Sequence, residues 1–170
     1  LAWLKDNEPK SYADIKYVFE CKDYVRFRLT GEARAEYTDY SGANLLNLHT
    51  RDYDDDLLTL FGISEIKEAL PPLCSATEIA GFVTVEAAAE CGLNAGTPVI
   101  GGMFDIDACA LGTGIIDEDN LCMIAGTWSI NEYIRKEPVL DGSVAMNSLY
   151  AIPEYYLIEE SSPTSAGNNA

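Results

Sequence analysis

Histidine is almost missing from this chain: His49 stands alone among 170 residues. Cysteine occurs five times (Cys21, Cys74, Cys91, Cys109, Cys122) but never as Cys-x-x-Cys. A zinc site therefore has no ligand set, and an odd number of scattered cysteines makes no disulfide framework. Reduced, mostly buried thiols are expected, as in a cytoplasmic protein. Basic residues are scarce: 11 Lys and Arg face 28 Asp and Glu, a formal net charge of −17. Such a chain repels a phosphate backbone, so no nucleic-acid partner is expected, and the acidity itself serves solubility. A nucleotide stays compatible, since backbone amides and a metal can hold its phosphates. No apolar run approaches the roughly 20 residues of a membrane helix, so no membrane partner is expected. No Gly-x-x-x-x-Gly-Lys occurs, which excludes a P-loop. The opening Leu1-Ala2-Trp3-Leu4 reads as the middle of a helix, with no initiator Met or signal peptide, so a fragment of a longer protein is expected.

What is present is the composition of a globular α/β chain, 48% hydrophobic and 23% charged. Tyr17-Val18-Phe19 reads as a short β-type run. Lys22 to Leu29 has helical spacing, with Gly31 placed to stop it. Glu36 to Ala43 reads as a polar link. Asp54-Asp55-Asp56 before Leu57 to Phe61, with Gly62 behind, brackets another helix; the acids suit a solvated helix start better than a metal. Ile79 to Val85 alternates like a strand, Glu86 to Cys91 is helical up to Gly92, and Thr97 to Phe104 reads as a strand buried on both faces. A helix over Asp107 to Leu111 and strands over Asn120 to Ala125 and Ser129 to Ile134 follow. Tyr and Ile then alternate from Ser148 to Ile158.

Most of the chemistry is concentrated in Gly101 to Gly112. An apolar strand delivers Asp105 to its carboxyl end, where open α/β sheets bind ligands. An Asp at a helix start also serves simply as a cap, and spacing alone favours that plainer role. Asp107, two residues on, is expected to point away and be structural or face solvent. Asp39 is expected to organise the turn from Thr38 to Ser41 through local hydrogen bonds, with a place near a sugar cleft as the alternative. His49 reads as an ordinary surface or packing residue.

Gly102-x-x-Asp105-x-x-Ala108-x-Ala110-x-Gly112 after an apolar strand resembles the segment that carries the catalytic aspartate of the FGGY carbohydrate kinases. Trp3-Leu4-Lys5 with Glu8-Pro9, Lys22-Asp23-Tyr24 with Leu29-Thr30-Gly31, and Thr38-Asp39-Tyr40-Ser41 with Ala43 are similar to motifs of that family, in the same order. Gly42 stands where the family usually has Asn or Asp. Leu73 to Gly81, Ala95 to Val99, Ala125-Gly126-Thr127 and Ser165-Ala166-Gly167 extend the resemblance nearly end to end. Trp128 and Ser162-Pro163-Thr164-Ser165 are most similar to the L-xylulose kinases of the family. Ile106 stands where glycerol kinases carry Gln.

The resemblance implies an α/β, ribonuclease H-like (actin-like ATPase) fold: residues 1–114 would be the back of the sugar-binding domain and 115–170 the opening of the nucleotide-binding domain. It implies ATP-dependent phosphorylation of a ketopentose such as xylulose, with other polyols and ketoses (erythritol, ribulose, glycerol) or a non-catalytic sugar or nucleotide sensor as alternatives. Asp105 would be the general base. Gly126, Thr127 and Gly167 would approach ATP, and Phe104, Asp105 and Trp128 the sugar, although Gly126-Thr127 also suits a plain hairpin turn and Trp128 a core position. Mg2+ would act through ligands largely outside these residues. The family's Asp-x-Gly-x-x phosphate and metal motif does not occur in the sequence. A homodimer of the complete enzyme is compatible with the resemblance, and 170 residues alone are expected to be inactive.

Overall fold

Proline and glycine punctuate the first hundred residues. The computed structural model describes residues 1–126 and 129–162, the side chains of 161 and 162 excepted. It divides the chain into two units, Leu1–Gly102 and Met103–Ala170. In the first unit α1 (Ala2–Asn7) ends at Glu8, where the following Pro9 disfavours helical backbone, and Pro9 opens α2 (Pro9–Ala13). Helix α3 (Cys21–Thr30) closes as expected on Gly31, whose φ is +74° and whose N–H donates to the Phe27 carbonyl. The β-type run ahead of it forms no strand. Val18 N–H donates to the Ala69 carbonyl at 2.9 Å, and the Tyr17 and Phe19 rings lie 5.9 and 5.1 Å from Phe27. Aromatic residues here satisfy themselves by ring packing instead of a ladder.

The stretch expected as a polar link folds. After β1 (Ala35–Glu36) comes α4 (Tyr37–Gly42), capped by the Glu36 carboxylate, which accepts from Thr38 N–H at 3.1 Å and the Thr38 hydroxyl at 2.6 Å. A small hairpin, β2 (Leu46–Asn47) and β3 (Asp52–Tyr53), precedes α5 (Asp55–Leu60). Asp54 caps α5 by accepting from Asp56 and Leu57 N–H, as the acid run indicated. A 3₁₀ turn over Ser64–Ala69 leads to β4 (Leu73–Cys74), which pairs in parallel with β1. Strand β5 (Ile79–Phe82), helix α6 (Val85–Cys91) and strand β6 (Pro98–Ile100) complete the unit, β5 and β6 being antiparallel with a bulge between Ile79 and Gly81.

The strand expected from Thr97 to Phe104 is thus only three residues long, and Ile100 is 51% exposed instead of buried on both faces. Pro98 brings no amide donor. Two glycines then bend the backbone away. Gly101 and Gly102 N–H donate to the carbonyls of Glu78 and Ala76, each at 2.9 Å, and Gly102 takes a φ of +76°.

In the second unit α7 (Asp105–Gly112) starts two residues earlier than its sequence pattern indicated. A four-stranded antiparallel sheet follows: β7 (Leu121–Ala125), β8 (Ser129–Arg135), β9 (Met146–Leu149) and β10 (Tyr156–Ser162), in the order β7-β8-β10-β9. The alternating stretch at its end is therefore two strands. Ala110 and Ile115 bury against Cys122, Ile134, Tyr150 and Leu157, which fixes α7 on one face of the sheet. Burying each larger side chain contributes roughly 1.5–3 kcal/mol.

Candidate active site

Phe104 occupies the position before α7 and makes no side-chain cap. Asp105 is therefore the first residue of the helix. Its exposed carboxylate accepts from Ile106 N–H at 2.8 Å, and its negative charge sits favourably at the positive end of the helix. The cap role that spacing favoured is not the one it takes. Phe104 is half-buried beside it.

Asp107 is structural, and the solvent-facing alternative fails. It is fully buried, and its carboxylate accepts from Ala151 N–H at 2.9 Å, tying α7 to the loop after β9. One helical turn thus carries one acid built into the fold and one left at the surface.

Sequence reasoning missed a third carboxylate. Glu132, in the middle of β8, is fully buried and lies directly across from Cys122 on β7 and Glu159 on β10. Burial pushes its pKa up, and the charges of Glu159 and Asp105 add to the rise. The weak thiol donor of Cys122 faces it, and no nitrogen or oxygen among the described residues donates to either carboxylate oxygen. Its signal in the sequence was an acid in the apolar register of Ile130-x-Glu132-x-Ile134.

Gly126 is exposed, directly after β7. Thr127, Trp128 and Gly167 lie outside the described residues, as does 163–166 with its Pro-Thr-Ser stretch. His49 is exposed, as expected. Three of the five free thiols, Cys21, Cys91 and Cys109, are exposed rather than buried. Among the described residues no group of three or more His, Cys, Asp or Glu could hold a metal ion.

In the first unit the Lys22-Asp23 pair proves to be the centre of a buried charge network. Lys22 Nζ ion-pairs with Asp39 and lies 3.1 Å from Asp23 and 3.4 Å from Glu36. Burial would lower the Lys22 pKa, but its three carboxylate neighbours outweigh burial and raise it. Glu36 is pushed up by burial despite Lys22 and Thr38. Asp39 therefore serves Lys22, and the turn it was expected to organise is capped by Glu36.

The chain is similar to the xylulose kinase of Rhodospirillum rubrum, with a TM-score of 0.86 and 25% identity over 97% of this chain and 33% of that one. That places it in the actin-like ATPase fold of the sugar kinases. The chain belongs to the FGGY family of carbohydrate kinases, whose N-terminal domain matches residues 1–112. It is 41% identical over 99% of its length to the probable L-xylulose kinase of Pasteurella multocida and to the L-xylulose/3-keto-L-gulonate kinase of Escherichia coli. It covers 35% and 34% of those two proteins, so it spans about a third of the relatives it matches.

Proposed function

We propose that this chain is part of an ATP-dependent kinase that phosphorylates a hydroxyl of a ketopentose, L-xylulose or a close relative, with Asp105 as general base. The observation that carries the reading is the Asp105 carboxylate, exposed at the start of α7 within the family's aspartate motif and not used as the helix cap. The 41% identity to relatives named for L-xylulose supports the choice of sugar.

The sugar hydroxyl gives its proton to Asp105 as its oxygen bonds to the γ-phosphorus of ATP; the bond to the β,γ-bridging oxygen breaks, and ADP leaves with that electron pair. Phe104 and Trp128 would line the sugar. Backbone amides at Gly126, with Thr127, would receive the phosphates, and Gly167 the nucleotide. Mg2+ would neutralise phosphate charge, through ligands other than the described residues, which present no cluster for it. The sugar-binding domain would end near residue 114.

ADP release by the complete kinase over L-xylulose, D-xylulose, L-ribulose, erythritol and glycerol tests this. L-Xylulose is expected to give the highest kcat/KM, and Asp105→Asn to lower turnover by about 10²–10⁴-fold. Full turnover in Asp105→Asn would remove the base. A flat response across every sugar would favour the sensor reading.

A further inference from the structure

Arg26 is an expensive residue. It is 3% exposed, and burying a cation is costly unless it is paired and hydrogen-bonded. Its Nη2 lies 2.9 Å from Asp23 and donates to the Arg34 carbonyl at 2.7 Å. Its Nη1 reaches 75 residues along the sequence to donate to the carbonyl of Gly101. Asp23, itself 1% exposed, is shared with Lys22, which Asp39 and Glu36 hold in turn.

The other end of this network is the glycine pair. A Cβ on Gly101 would stand 2.2 Å from the Ser75 carbonyl oxygen, so only glycine fits. Gly102 is left-handed, and a Cβ there would meet the Lys22 stem at 3.4 Å. Both amides are fixed by the 75–78 turn. The backbone leaving the first unit is thus held by its amides and by the Arg26 guanidinium on its carbonyl. Three residues later comes Asp105.

We propose that Arg26, held by Asp23 and Lys22, is a positioning residue for phosphoryl transfer: it fixes the Gly101–Gly102 backbone from which Asp105 is delivered. The proposal rests on Asp105 being the base. A reacting group displaced by about 1 Å can lose on the order of 10²-fold in rate, so an anchor on the Gly101 carbonyl, four residues upstream, bears on turnover.

Arg26→Lys in the complete kinase keeps the charge beside Asp23 but cannot serve both carbonyls. The expected result is a fall in kcat of at least about tenfold, with the KM of sugar and ATP within about twofold, since alignment and not binding is lost. In an Asp105→Asn background the same substitution should change residual turnover by less than about twofold, because the group it positions is already gone. A folded Arg26→Lys enzyme with unchanged kcat, or a loss that multiplies with that of Asp105→Asn, would overturn the proposal and leave the base standing. Full turnover in Asp105→Asn alone would overturn both. If Arg26→Lys does not fold, Gly102→Ala probes the same backbone from the Lys22 side: lost kcat with retained KM supports the proposal, and unchanged kcat overturns it.

Discussion

Glu132 and Asp105 are both acids of the second unit, and their surroundings give them different tasks. Asp105 is exposed at a helix start; Glu132 is buried in the middle of a sheet opposite a second glutamate. Directly opposed like charges destabilise a ladder, and burial disfavours the ionised form further. The folded-state pKa of Glu132 therefore lies above the ordinary 4.5. A group raised in the folded state favours folding below its unfolded value, and that contribution is lost as pH rises through the folded value. Each tenfold gain in proton affinity is worth about 1.4 kcal/mol, and about 1 kcal/mol moves the melting point by roughly 2–4 °C in a chain of this size. Glu132→Gln, which cannot ionise, should then melt progressively higher relative to the parent as pH climbs from 4.5 to 8. Calorimetry across that range checks it. A melting-point difference that stays constant with pH would show that Glu132 does not titrate differently in the folded state.

Helices α5 and α6 are set by local chemistry. Thr84 caps α6 by accepting from Ala87 N–H at 3.1 Å, and Gly92 closes it at a φ of +77°. Thr84→Ala should cost about 1 kcal/mol, and Thr84→Ser much less, measured by urea unfolding. Equal losses in the two variants would mean that the hydroxyl is not the stabilising group. Such caps explain why the acid run at Asp54 and the stops at Gly31, Gly62 and Gly92 were readable from the sequence: each needs only its own few residues. The apolar run after Thr97 was misread because its length depends on which carbonyls Gly101 and Gly102 find, and those belong to Ala76 and Glu78. The polar stretch around Thr38 was misread because its cap is a Glu, Glu36, where Ser, Thr, Asp or Asn is the usual signal. At the site, the aspartate motif was legible because it is contiguous. Apart from the neighbouring Asp23, the surroundings of Lys22, Arg26 and Glu132 were not, because Asp39, Gly101 and Glu159 come from other segments.

The whole molecule carries a net charge of −17, and phosphoryl transfer demands the opposite sign around the reacting phosphates. The family's Asp-x-Gly-x-x motif does not occur in the sequence, and no metal-ligand group is present among the described residues. Asp105 can accept a proton, but these residues have little with which to draw in ATP. The 170-residue chain by itself should therefore release no ADP above background with L-xylulose, even if α7 is fully formed. Ile79, Phe82 and Ile100 on the β5–β6 pair are 53%, 55% and 51% exposed, and Leu121 and Met123 on the edge strand β7 are 60% and 70% exposed. Scattered apolar residues are normal at a surface; rows of them along strands are faces that bind apolar dyes and pair with other chains. Strong ANS fluorescence from the purified chain, with its helical circular dichroism intact, is the expected companion of that inactivity. Sugar-dependent turnover near 1 s⁻¹, an ordinary rate for a kinase, would show instead that these residues suffice without further phosphate ligands.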